Sequence, residues 1–464
     1  MWSYVPKIKS YVSKIHHLSF ITHHYFMTNT EKLFEKRKKL VPNALGVFSP
    51  ASAAYAEGAI ITDVDGREMI DFAGGIGVLN AGHCPKPVVK AIQEQAAKLI
   101  HTCFNVALYD VYFELAQKLV DIFPHGGTGT KVFLTNTGAE AVENAIKIAR
   151  QATGRDAVIC YSGAFHGRSM MAMTLTSKVG YKLGCGPYAP EVYRLSYPYF
   201  SPSEKKMFDT EGSFSAHHVR ELHKFFNTQV PANQVAAIII EVVQGEGGFG
   251  VVSKEYLQEL RKICTEKGII LILDEVQSGF GRTGTWAAYE HFDVEPDLST
   301  WAKSMGSGMP IGCVIGKTNI MDSINAGTIG GTYSGNPVCS AAALATIKYM
   351  EEIDINAHGQ RVGKSVLKRF KKMAKKYPQN IGDVRGLGAM LAFEVVKNGD
   401  LNQPDADLTK QIIAKCNERG LIVISAGVNG NVIRTLSPLV ISNKDLERGL
   451  DILEGVVDEL MGLK

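Results

Sequence analysis

The chain has 464 residues, of which 45% are hydrophobic and 21% are charged, and its formal net charge at pH 7 is +4. These are the proportions of an ordinary globular protein that is long enough for more than one domain. The small, dispersed net charge gives no indication of nucleic-acid binding, and no apolar run approaches the roughly 18 residues that a membrane span requires. Eight cysteines are scattered without a CxxC pair, which favours reduced thiols in a cytoplasmic protein over a disulfide framework or a metal site.

The first 26 residues differ in composition from the rest of the chain. They contain no acidic residue, three lysines and four of the thirteen histidines, and Met27 follows them directly. The apolar stretch of a secretory signal is missing, and so are the arginines of a mitochondrial transit peptide. A metal site built from the paired histidines is a less favoured alternative. We predict that residues 1–26 form a disordered N-terminal extension and that Met27 is the functional start.

Short β-branched segments alternate with helical patterns from about residue 125 onward. The predicted strands cover residues 131–135, 157–161, 235–241 and 269–275. Each segment is apolar and bounded by turn residues, which is typical of strands buried on both faces of a parallel sheet. Helices are predicted over about 138–151 and 254–267, and Gly268 suits the position that follows a helix end. This alternation predicts an α/β fold with right-handed crossovers.

The pattern changes after about residue 340. Long helices are predicted over residues 340–352, 360–376, 407–419 and 444–461, with strands at AMLAFEVV, LIVIS and NVIRTLS. Residues 198–215 contain two prolines and several serines, and we predict a surface loop there. We therefore expect a large domain over residues 76–338 and a smaller α+β domain over 339–464. The segment 27–75 is expected to pack with the smaller domain.

Two features stand where an open α/β sheet binds ligands, at the carboxyl ends of its strands. In TNTGAEAVENAIKIAR, Thr137 and Glu140 form a capping box, and Gly138 lets a ligand approach the free N–H groups at the start of a helix. This is a phosphate site in outline, although an ordinary capped helix has the same pattern. In LILDEVQSGFGRTG, a buried strand ends in Asp274 and Glu275, and such acids are costly unless they are paired or used.

The third feature is Lys303, within STWAKSMGSGMPIG. It stands among small and apolar residues with no acid within five positions, which favours a lowered pKa. A phosphate cradle, an acid for a cationic ring nitrogen and a reactive lysine are the set that pyridoxal phosphate uses. Nucleotide cofactors are not favoured, because GKT at 316–318 lacks the first glycine of a P-loop and GGIGVLNAG at 74–82 lacks the dinucleotide-binding spacing.

Seven motifs stand in the order found in the class III (ω) pyridoxal-phosphate-dependent aminotransferases. They are NTGAEAVENAIKIAR, SGAFHGRS, VVQGEGGF, LDEVQSGFGRTG, AKSMGSGMPIG, GGTYSGNP and DVRGLGAM. From about residue 30 to the C-terminus the chain resembles this family, and within it the bacterial 4-aminobutyrate aminotransferases most of all. The resemblance implies a fold-type I transferase, with a mostly parallel sheet flanked by helices in a large domain and a smaller α+β domain.

The resemblance also implies roles around the cofactor, pyridoxal 5′-phosphate. Lys303 would be the Schiff-base lysine, and Asp274 would keep the pyridinium nitrogen protonated. Phe165 and Val276 would enclose the ring, and Gln277 would reach its hydroxyl group. The further cofactor-binding positions would be Gly138 and Ala139 through their backbone N–H groups, Glu241 before the QGEGG loop, and Thr332 from the other subunit. The active unit would therefore be a homodimer, or a tetramer built from it.

Four further residues would bind the substrates in this family. Arg168 would hold the distal carboxylate of an ω-amino acid, and Arg434 would take the α-carboxylate of glutamate. Glu246 would mask Arg434 while the ω-amino acid is bound, and Ile76 would line the substrate channel. The family usually reads Glu-Pro-Val-Gln where this chain reads EVVQ, so Val242 should alter the rigidity of the loop and leaves the orientation of Glu241 open.

The implied activity is a ping-pong transamination, through pyridoxamine phosphate, of 4-aminobutyrate with 2-oxoglutarate. The products are succinate semialdehyde and glutamate, as in the catabolism of 4-aminobutyrate. A donor one methylene longer or shorter is separated in a pocket by only about 1–3 kcal/mol, so 5-aminovalerate, β-alanine and ornithine stay alternatives. A non-catalytic pyridoxal-phosphate binder and a dehydrogenase are alternatives of other classes. The first would be expected to lack Lys303 or Asp274, and the second requires a dinucleotide fingerprint.

Overall fold

The computed structural model describes residues 27–127 and 129–462. The predicted N-terminal extension over residues 1–26 lies outside the described residues. The described part of the chain divides into two units between Leu45 and Gly46. In the first unit, helix α1 (Asn29–Leu40) begins at a capping box, because the side chains of Thr28 and Glu31 each accept a hydrogen bond from the other's backbone N–H.

The second unit contains the strands and the remaining helices that the structure describes. The strands are β1 (Tyr55–Glu57), β2 (Ile60–Thr62), β3 (Glu68–Asp71), β4 (Thr130–Thr135), β5 (Ala157–Tyr161), β6 (Val192–Leu195), β7 (Val235–Ile240), β8 (Ile270–Asp274), β9 (Leu298–Trp301), β10 (Gly312–Lys317), β11 (Ile381–Leu387), β12 (Met390–Lys397), β13 (Asp400–Pro404), β14 (Leu421–Ile422), β15 (Ile424–Ala426) and β16 (Val432–Thr435). The α-helices are α2 (Gly74–Gly77), α3 (Lys86–Lys98), α4 (Asp110–Ile122), α5 (Gly138–Thr153), α6 (Met170–Leu175), α7 (Glu211–Thr228), α8 (Lys254–Lys267), α9 (Thr318–Met321), α10 (Pro337–Glu352), α11 (Ile355–Lys376), α12 (Ala406–Glu418) and α13 (Asn443–Met461). Short 3-10 helices cover Val179–Tyr181, Glu204–Lys206, Ala232–Gln234, Ala288–Phe292 and Lys303–Gly306.

The largest sheet has seven strands in the order β4-β10-β9-β8-β7-β5-β6. Six strands run in one direction, and β10 is antiparallel to both of its neighbours. Every residue of β5, β7 and β8 is buried, as expected for strands covered on both faces. The strands predicted at 131–135, 157–161, 235–241 and 269–275 are thus confirmed to within a residue. The carboxyl ends of the parallel strands meet along one edge of this sheet.

Two helices of this region begin or end where the sequence predicts. At the start of α5 the Thr137 side chain accepts a hydrogen bond from the Glu140 N–H, and the apolar stripe of the helix is buried against the sheet. Helix α8 is followed by Gly268, whose φ of 62° lies in the left-handed region that glycine adopts without strain. The start of α5 follows β4, and the end of α8 precedes β8, so both helix ends lie at connections to the sheet.

The C-terminal region forms an antiparallel sheet of five strands in the order β11-β12-β16-β15, with β13 paired to β12. Helices α10 to α13 confirm the four predicted long helices, although α11 begins five residues earlier than expected. A separate sheet, β1-β2-β3-β14, joins the N-terminal strands to Leu421–Ile422 through a parallel pairing. This pairing brings residues 55–71 to the C-terminal region, while the domain boundaries given above stay a prediction.

The prediction of a surface loop over residues 198–215 is partly wrong. Residues 198–215 include the 3-10 helix Glu204–Lys206, and α7 already begins at Glu211. The start of α7 is capped by Thr210, whose side chain accepts the N–H of Ser213. The polar composition of this segment therefore reflects helix capping as well as an exposed turn.

All eight cysteines are free, and five of them are buried. Among the described residues, no helix combines the length and the apolar character that crossing a membrane would need.

Candidate active site

A cavity of about 500 Å³ opens at the carboxyl edge of the seven-stranded sheet. The ends of β5, β7, β8 and β9, together with the start of α5, contribute its walls. It is lined by Val78, Asn136, Thr137, Gly138, Ala139, Phe165, His166, Gly167, Arg168, Glu241, Gly245, Glu246, Asp274, Val276, Gln277, Ala302, Lys303, Gly308, Met309, Pro310 and Ile311. This is where an open α/β sheet is expected to bind a ligand.

Lys303 lies in the cavity directly after β9, at the start of a 3-10 helix. Its backbone φ of 49° is unusual for a residue with a side chain, and such conformations cluster at functional sites. Burial, opposed by the charges of Glu246 and Asp274 and assisted by that of Arg434, lowers the pKa of Lys303 to about 8. The lowered pKa agrees with the prediction from the sequence, but its cause is burial and not a lack of nearby acids. Acids that are distant in sequence lie close to Lys303 in space and oppose the shift.

Asp274 is the last residue of β8 and is buried. Its Oδ2 lies 2.6 Å from His166 Nδ1, and its Oδ1 accepts the Val276 N–H at 3.1 Å. Burial would lower the pKa of His166, but the hydrogen bond and charge of Asp274 outweigh burial and raise it. The imidazole therefore favours its protonated form, and it holds the carboxylate in one orientation at the cavity wall.

The start of α5 forms another wall of the cavity. The first N–H groups of a helix have no partner within the helix, and they attract anions together with the helix dipole. Gly138 and Ala139 are the first two residues of α5. A Cβ added at Gly138 would lie 2.8 Å from Val276 Cγ1, so the glycine is required by the close approach of this turn to the loop after β8.

Two more predicted residues lie between these walls. Gln277 is buried, and its Oε1 has no hydrogen-bond partner among the residues that the structure describes. Phe165 lines the cavity, and its backbone N–H donates to Glu241 Oε2 at 3.0 Å. The second Glu241 oxygen accepts the Gly245 N–H at 3.0 Å, so the side chain joins the loop after β5 to the loop after β7. Its orientation is thus defined although Val242 replaces the proline usual in the family.

The two arginines predicted to bind carboxylates differ in their surroundings. Arg434 is buried, and its Nη1 lies 2.6 Å from Glu246 Oε1. Its Nε and Nη2 are buried donors without a partner in the described part of the chain. Arg168 lies at the exposed rim of the same cavity, with its guanidinium carbon 4.5 Å from the centre of the Tyr181 ring. Arg168 is thus accessible at the rim of the cavity, whereas Arg434 is paired to Glu246, which lines the cavity.

Besides Arg434, which lies behind Glu246, two predicted residues are not part of the cavity wall. Thr332 is exposed and lies outside the lining of the cavity within this chain. Ile76 is half-buried, and its carbonyl oxygen lies 3.5 Å from Gln277 Nε2, so it stands beside the wall.

Sequence reasoning missed His166 and Tyr181. His166 stands next to Phe165 in the SGAFHGRS motif, and this position could have indicated that it belongs to the site. No motif in the sequence includes Tyr181.

Pyridoxal phosphate fits these residues. Lys303 offers an amine of lowered pKa for the aldehyde, and the Asp274 carboxylate suits a protonated ring nitrogen. The unpaired Oε1 of Gln277 would accept the ring hydroxyl, and the start of α5 would hold the phosphate. The contact between Gly138 and Val276 leaves no room for a larger side chain at the phosphate cradle.

Comparison with known proteins identifies the family. Residues 46–457 match the family model of the class III aminotransferases. The chain is 45% identical over 421 residues to the probable 4-aminobutyrate aminotransferase of Bacillus subtilis, which covers 90% of this chain and 96% of the relative. It is also 45% identical over 431 residues to the 5-aminovalerate aminotransferase of Pseudomonas aeruginosa, which covers 93% of this chain and 99% of the relative.

Solved structures support the same conclusion. An (S)-enantioselective ω-transaminase from Thermomicrobium roseum superposes with a TM-score of 0.85 at 28% identity, covering 94% of this chain and all of the other. The ornithine aminotransferase of Toxoplasma gondii superposes with a TM-score of 0.81 at 27% identity, covering 94% and 97%. The fold-type I architecture predicted from the sequence is confirmed by these neighbours. The chain belongs to the class III aminotransferases, which are enzymes that depend on pyridoxal phosphate.

Proposed function

We propose that the enzyme transfers the amino group of 4-aminobutyrate to 2-oxoglutarate and forms succinate semialdehyde and glutamate. The observation that carries the proposal is an arginine at the rim of the cavity together with a second arginine paired to the cavity-lining Glu246. Arg168 at the rim is free to bind the carboxylate of an ω-amino acid, whereas Arg434 is covered by Glu246. An enzyme that accepts an ω-amino acid and glutamate in turn needs two carboxylate sites, and one of them must be covered when a single carboxylate is present.

The side chains at the cavity account for the proton transfers of this reaction. When bound, pyridoxal phosphate supplies the electron sink that stabilises a carbanion beside the transferred amino group. Lys303 Nζ, whose pKa is about 8, would take the proton from the carbon that bears the donor's amino group and pass it to the cofactor, and it would carry a proton in the opposite direction when the 2-oxo acid reacts. Asp274, held by His166, would keep the ring nitrogen of the cofactor protonated. No hydrogen bond or ion pair within the described residues ties up the Lys303 amine.

Glu246 determines which carboxylate is bound. With an ω-amino acid in the cavity, Glu246 neutralises Arg434, and Arg168 holds the single carboxylate in a bidentate fork. With glutamate, the side chain of Glu246 must move aside so that Arg434 binds the α-carboxylate through the Nε and Nη2 donors that are otherwise unpaired. The buried and unpaired donors support this role, because such groups are costly unless a ligand satisfies them.

The second candidate donor is 5-aminovalerate. The 5-aminovalerate aminotransferase of Pseudomonas aeruginosa and the Bacillus subtilis relative are equally similar to this chain, at 45% identity. One methylene changes binding by about 1–3 kcal/mol in a pocket of this kind, so the two donors compete for the same residues. β-Alanine would be one methylene shorter than 4-aminobutyrate. Ornithine carries its carboxylate next to a second amine and fits the position of Arg168 less well.

Single-turnover half-reactions test the substrate assignment. The loaded enzyme is mixed with 4-aminobutyrate, 5-aminovalerate, β-alanine, ornithine or glutamate, and the absorbance of the cofactor is followed by stopped flow. We expect 4-aminobutyrate and glutamate to react, and 5-aminovalerate to react within about tenfold of 4-aminobutyrate. Ornithine faster than 4-aminobutyrate by more than about tenfold would contradict the assignment. Lys303→Ala should abolish turnover with every donor.

We also propose that the active unit is a homodimer in which Thr332 of the partner subunit completes the phosphate site. The support is that Thr332 is exposed, and that the neighbouring Tyr333 and Ile100 expose 64% and 63% of their surface. These two side chains line one cavity together with Met309 and Pro310, and contiguous exposed apolar surface is typical of an interface. Co-expression of Lys303→Ala and Thr332→Ala chains is the test, because a mixed dimer restores one complete site. Activity no higher than that of the two separate variants would contradict the shared site.

A further inference from the structure

Tyr181 lies just behind the wall of the cavity, at the end of the 3-10 helix Val179–Tyr181. It is half-buried and packs edge-on against Phe165, with ring centres 5.3 Å apart. Its hydroxyl and its ring face meet different members of the substrate site. The hydroxyl contacts the carboxylate that covers Arg434, and the ring lies under the guanidinium of Arg168.

The hydroxyl acts on Glu246. It donates a hydrogen bond to Glu246 Oε2 at 3.1 Å, while Oε1 of the same carboxylate is held by Arg434 at 2.6 Å. Burial and the charge of Glu246 raise the pKa of Tyr181 to about 12, so the phenol keeps its proton and stays a donor at neutral pH. Both oxygens of Glu246 are therefore held, and moving this side chain away from Arg434 breaks two charge-assisted hydrogen bonds.

The ring acts on Arg168. The guanidinium carbon of Arg168 lies 4.5 Å from the ring centre, which is a cation–π distance, and Arg168 is otherwise exposed at the rim. Lys178 Nζ lies 5.3 Å from the same ring centre and donates to the Gly427 carbonyl oxygen at 3.1 Å. The Gly427 N–H in turn donates to the Glu246 carbonyl oxygen at 2.9 Å. Tyr181 thus connects Arg168 at the rim to the loop that carries Glu246.

We propose that Tyr181 is a positioning residue that sets the balance between the two carboxylate sites. Its hydroxyl holds Glu246 closed over Arg434, and its ring orients Arg168 toward the distal carboxylate. Loss of the hydroxyl alone should favour ligands with two carboxylates, whereas loss of the ring should weaken every ligand that uses Arg168. This inference rests on the proposed use of Arg168 and Arg434, but not on which ω-amino acid is the natural donor.

Calorimetric titration of the loaded enzyme with two unreactive acids tests the inference. Glutarate carries two carboxylates and needs both arginines, whereas valerate carries one and needs Arg168. Tyr181→Phe should tighten glutarate binding about tenfold, because opening the mask no longer breaks a hydrogen bond to a charged group. It should leave valerate binding unchanged. Tyr181→Leu should weaken valerate binding about two- to fivefold through the lost cation–π contact.

Tyr193→Phe is the matched control. The Tyr193 hydroxyl donates to Glu191 Oε2 at 3.0 Å, in a pair remote from the cavity, so its loss should change neither affinity. Equal affinities of the wild type and Tyr181→Phe for glutarate would overturn the proposal. Equal changes for glutarate and valerate in Tyr181→Phe would also overturn it, because they would indicate a general loosening of the site.

Half-reaction kinetics separate this inference from the substrate assignment. In Tyr181→Phe, the ratio of kcat/KM for 4-aminobutyrate to kcat/KM for glutamate should fall about tenfold, mainly through the KM of glutamate. If neither 4-aminobutyrate nor 5-aminovalerate reacts with the wild type, the substrate assignment is wrong, and the comparison of glutarate with valerate still decides the role of Tyr181. A fall in kcat for both half-reactions with unchanged KM values would overturn the positioning role.

Discussion

Replacing Lys303 by methionine should stabilise the apoenzyme. Burial lowers the pKa of Lys303 from 10.5 to about 8, so at neutral pH the folded protein holds an ammonium in a site that disfavours it. At pH 7 the difference corresponds to about 3 kcal/mol of the free energy of unfolding, at about 1.4 kcal/mol for each pKa unit. Methionine has a similar length, carries no charge and adapts to an irregular apolar space, so it should recover most of this energy.

The pH dependence identifies the cause of the gain. The unfolded lysine keeps its proton up to about pH 10.5, whereas the folded lysine loses it near pH 8. Between these values the unfolded chain binds more protons, so the stability of the wild type rises with pH. The penalty is complete below about pH 8 and absent above pH 10.5. The advantage of Lys303→Met should therefore be about 3 kcal/mol at pH 7 and about half of that at pH 9.5.

Urea unfolding of the two apoenzymes at pH 7 and pH 9.5 measures this difference. Lys317→Met is the matched control, since Lys317 Nζ forms an ion pair with Asp297 at 2.9 Å and its replacement should destabilise the fold. The reasoning is refuted if Lys303→Met is no more stable than the wild type at pH 7. It is equally refuted if the gain is the same at both pH values, because the gain would then come from packing and not from charge.

Three further predictions concern the cofactor and the substrate. Asp274→Asn removes the charge that His166 holds in place, and the rates of both half-reactions in stopped flow should fall by at least about a hundredfold; a loss below about tenfold would contradict the role of the carboxylate. Gly138→Ala places a Cβ 2.8 Å from Val276 Cγ1, so the binding free energy of pyridoxal phosphate, obtained from a dissociation constant measured by fluorescence, should weaken by about 1–3 kcal/mol while the apoenzyme stays folded. Arg168→Lys replaces a fork by a point charge and should raise the KM of ω-amino acids about tenfold with a smaller change in kcat; an unchanged KM would show that the carboxylate binds elsewhere.

The sequence predicted the part of the site that follows from strand order. The segments ending near Thr135 and Asp274 were predicted as strands, and they lie in one sheet with β9, which ends at Trp301 and was not predicted. In a sheet of this kind the carboxyl ends meet along one edge, so residues just after them are brought together whatever their separation in sequence. Gly138 and Lys303 lie in one cavity with Asp274 for this reason.

The contacts that adjust these groups could not be predicted in the same way. His166 meets Asp274 across 108 residues, and the hydrogen bond from Tyr181 to Glu246 spans 65. Both depend on how loops beyond the strand ends turn, and no periodic pattern encodes that turn. The start of α7 is different, because a threonine followed three residues later by a serine, Thr210 and Ser213, was a capping signal within a stretch whose composition indicated a loop.

The reactivity of Lys303 illustrates why local sequence was an incomplete guide. Its neighbours in sequence contain no acid, yet Glu246, Asp274 and Glu241 all lie close enough to raise its pKa. Burial outweighs them, and it acts on the acids as well, since it is the largest cause that raises the pKa of Glu241 to about 7. Burial therefore disfavours the charged forms of Glu241 and of the lysine together. Glu246 is the exception, because its ion pair with Arg434 outweighs burial and lowers the pKa of this carboxyl group.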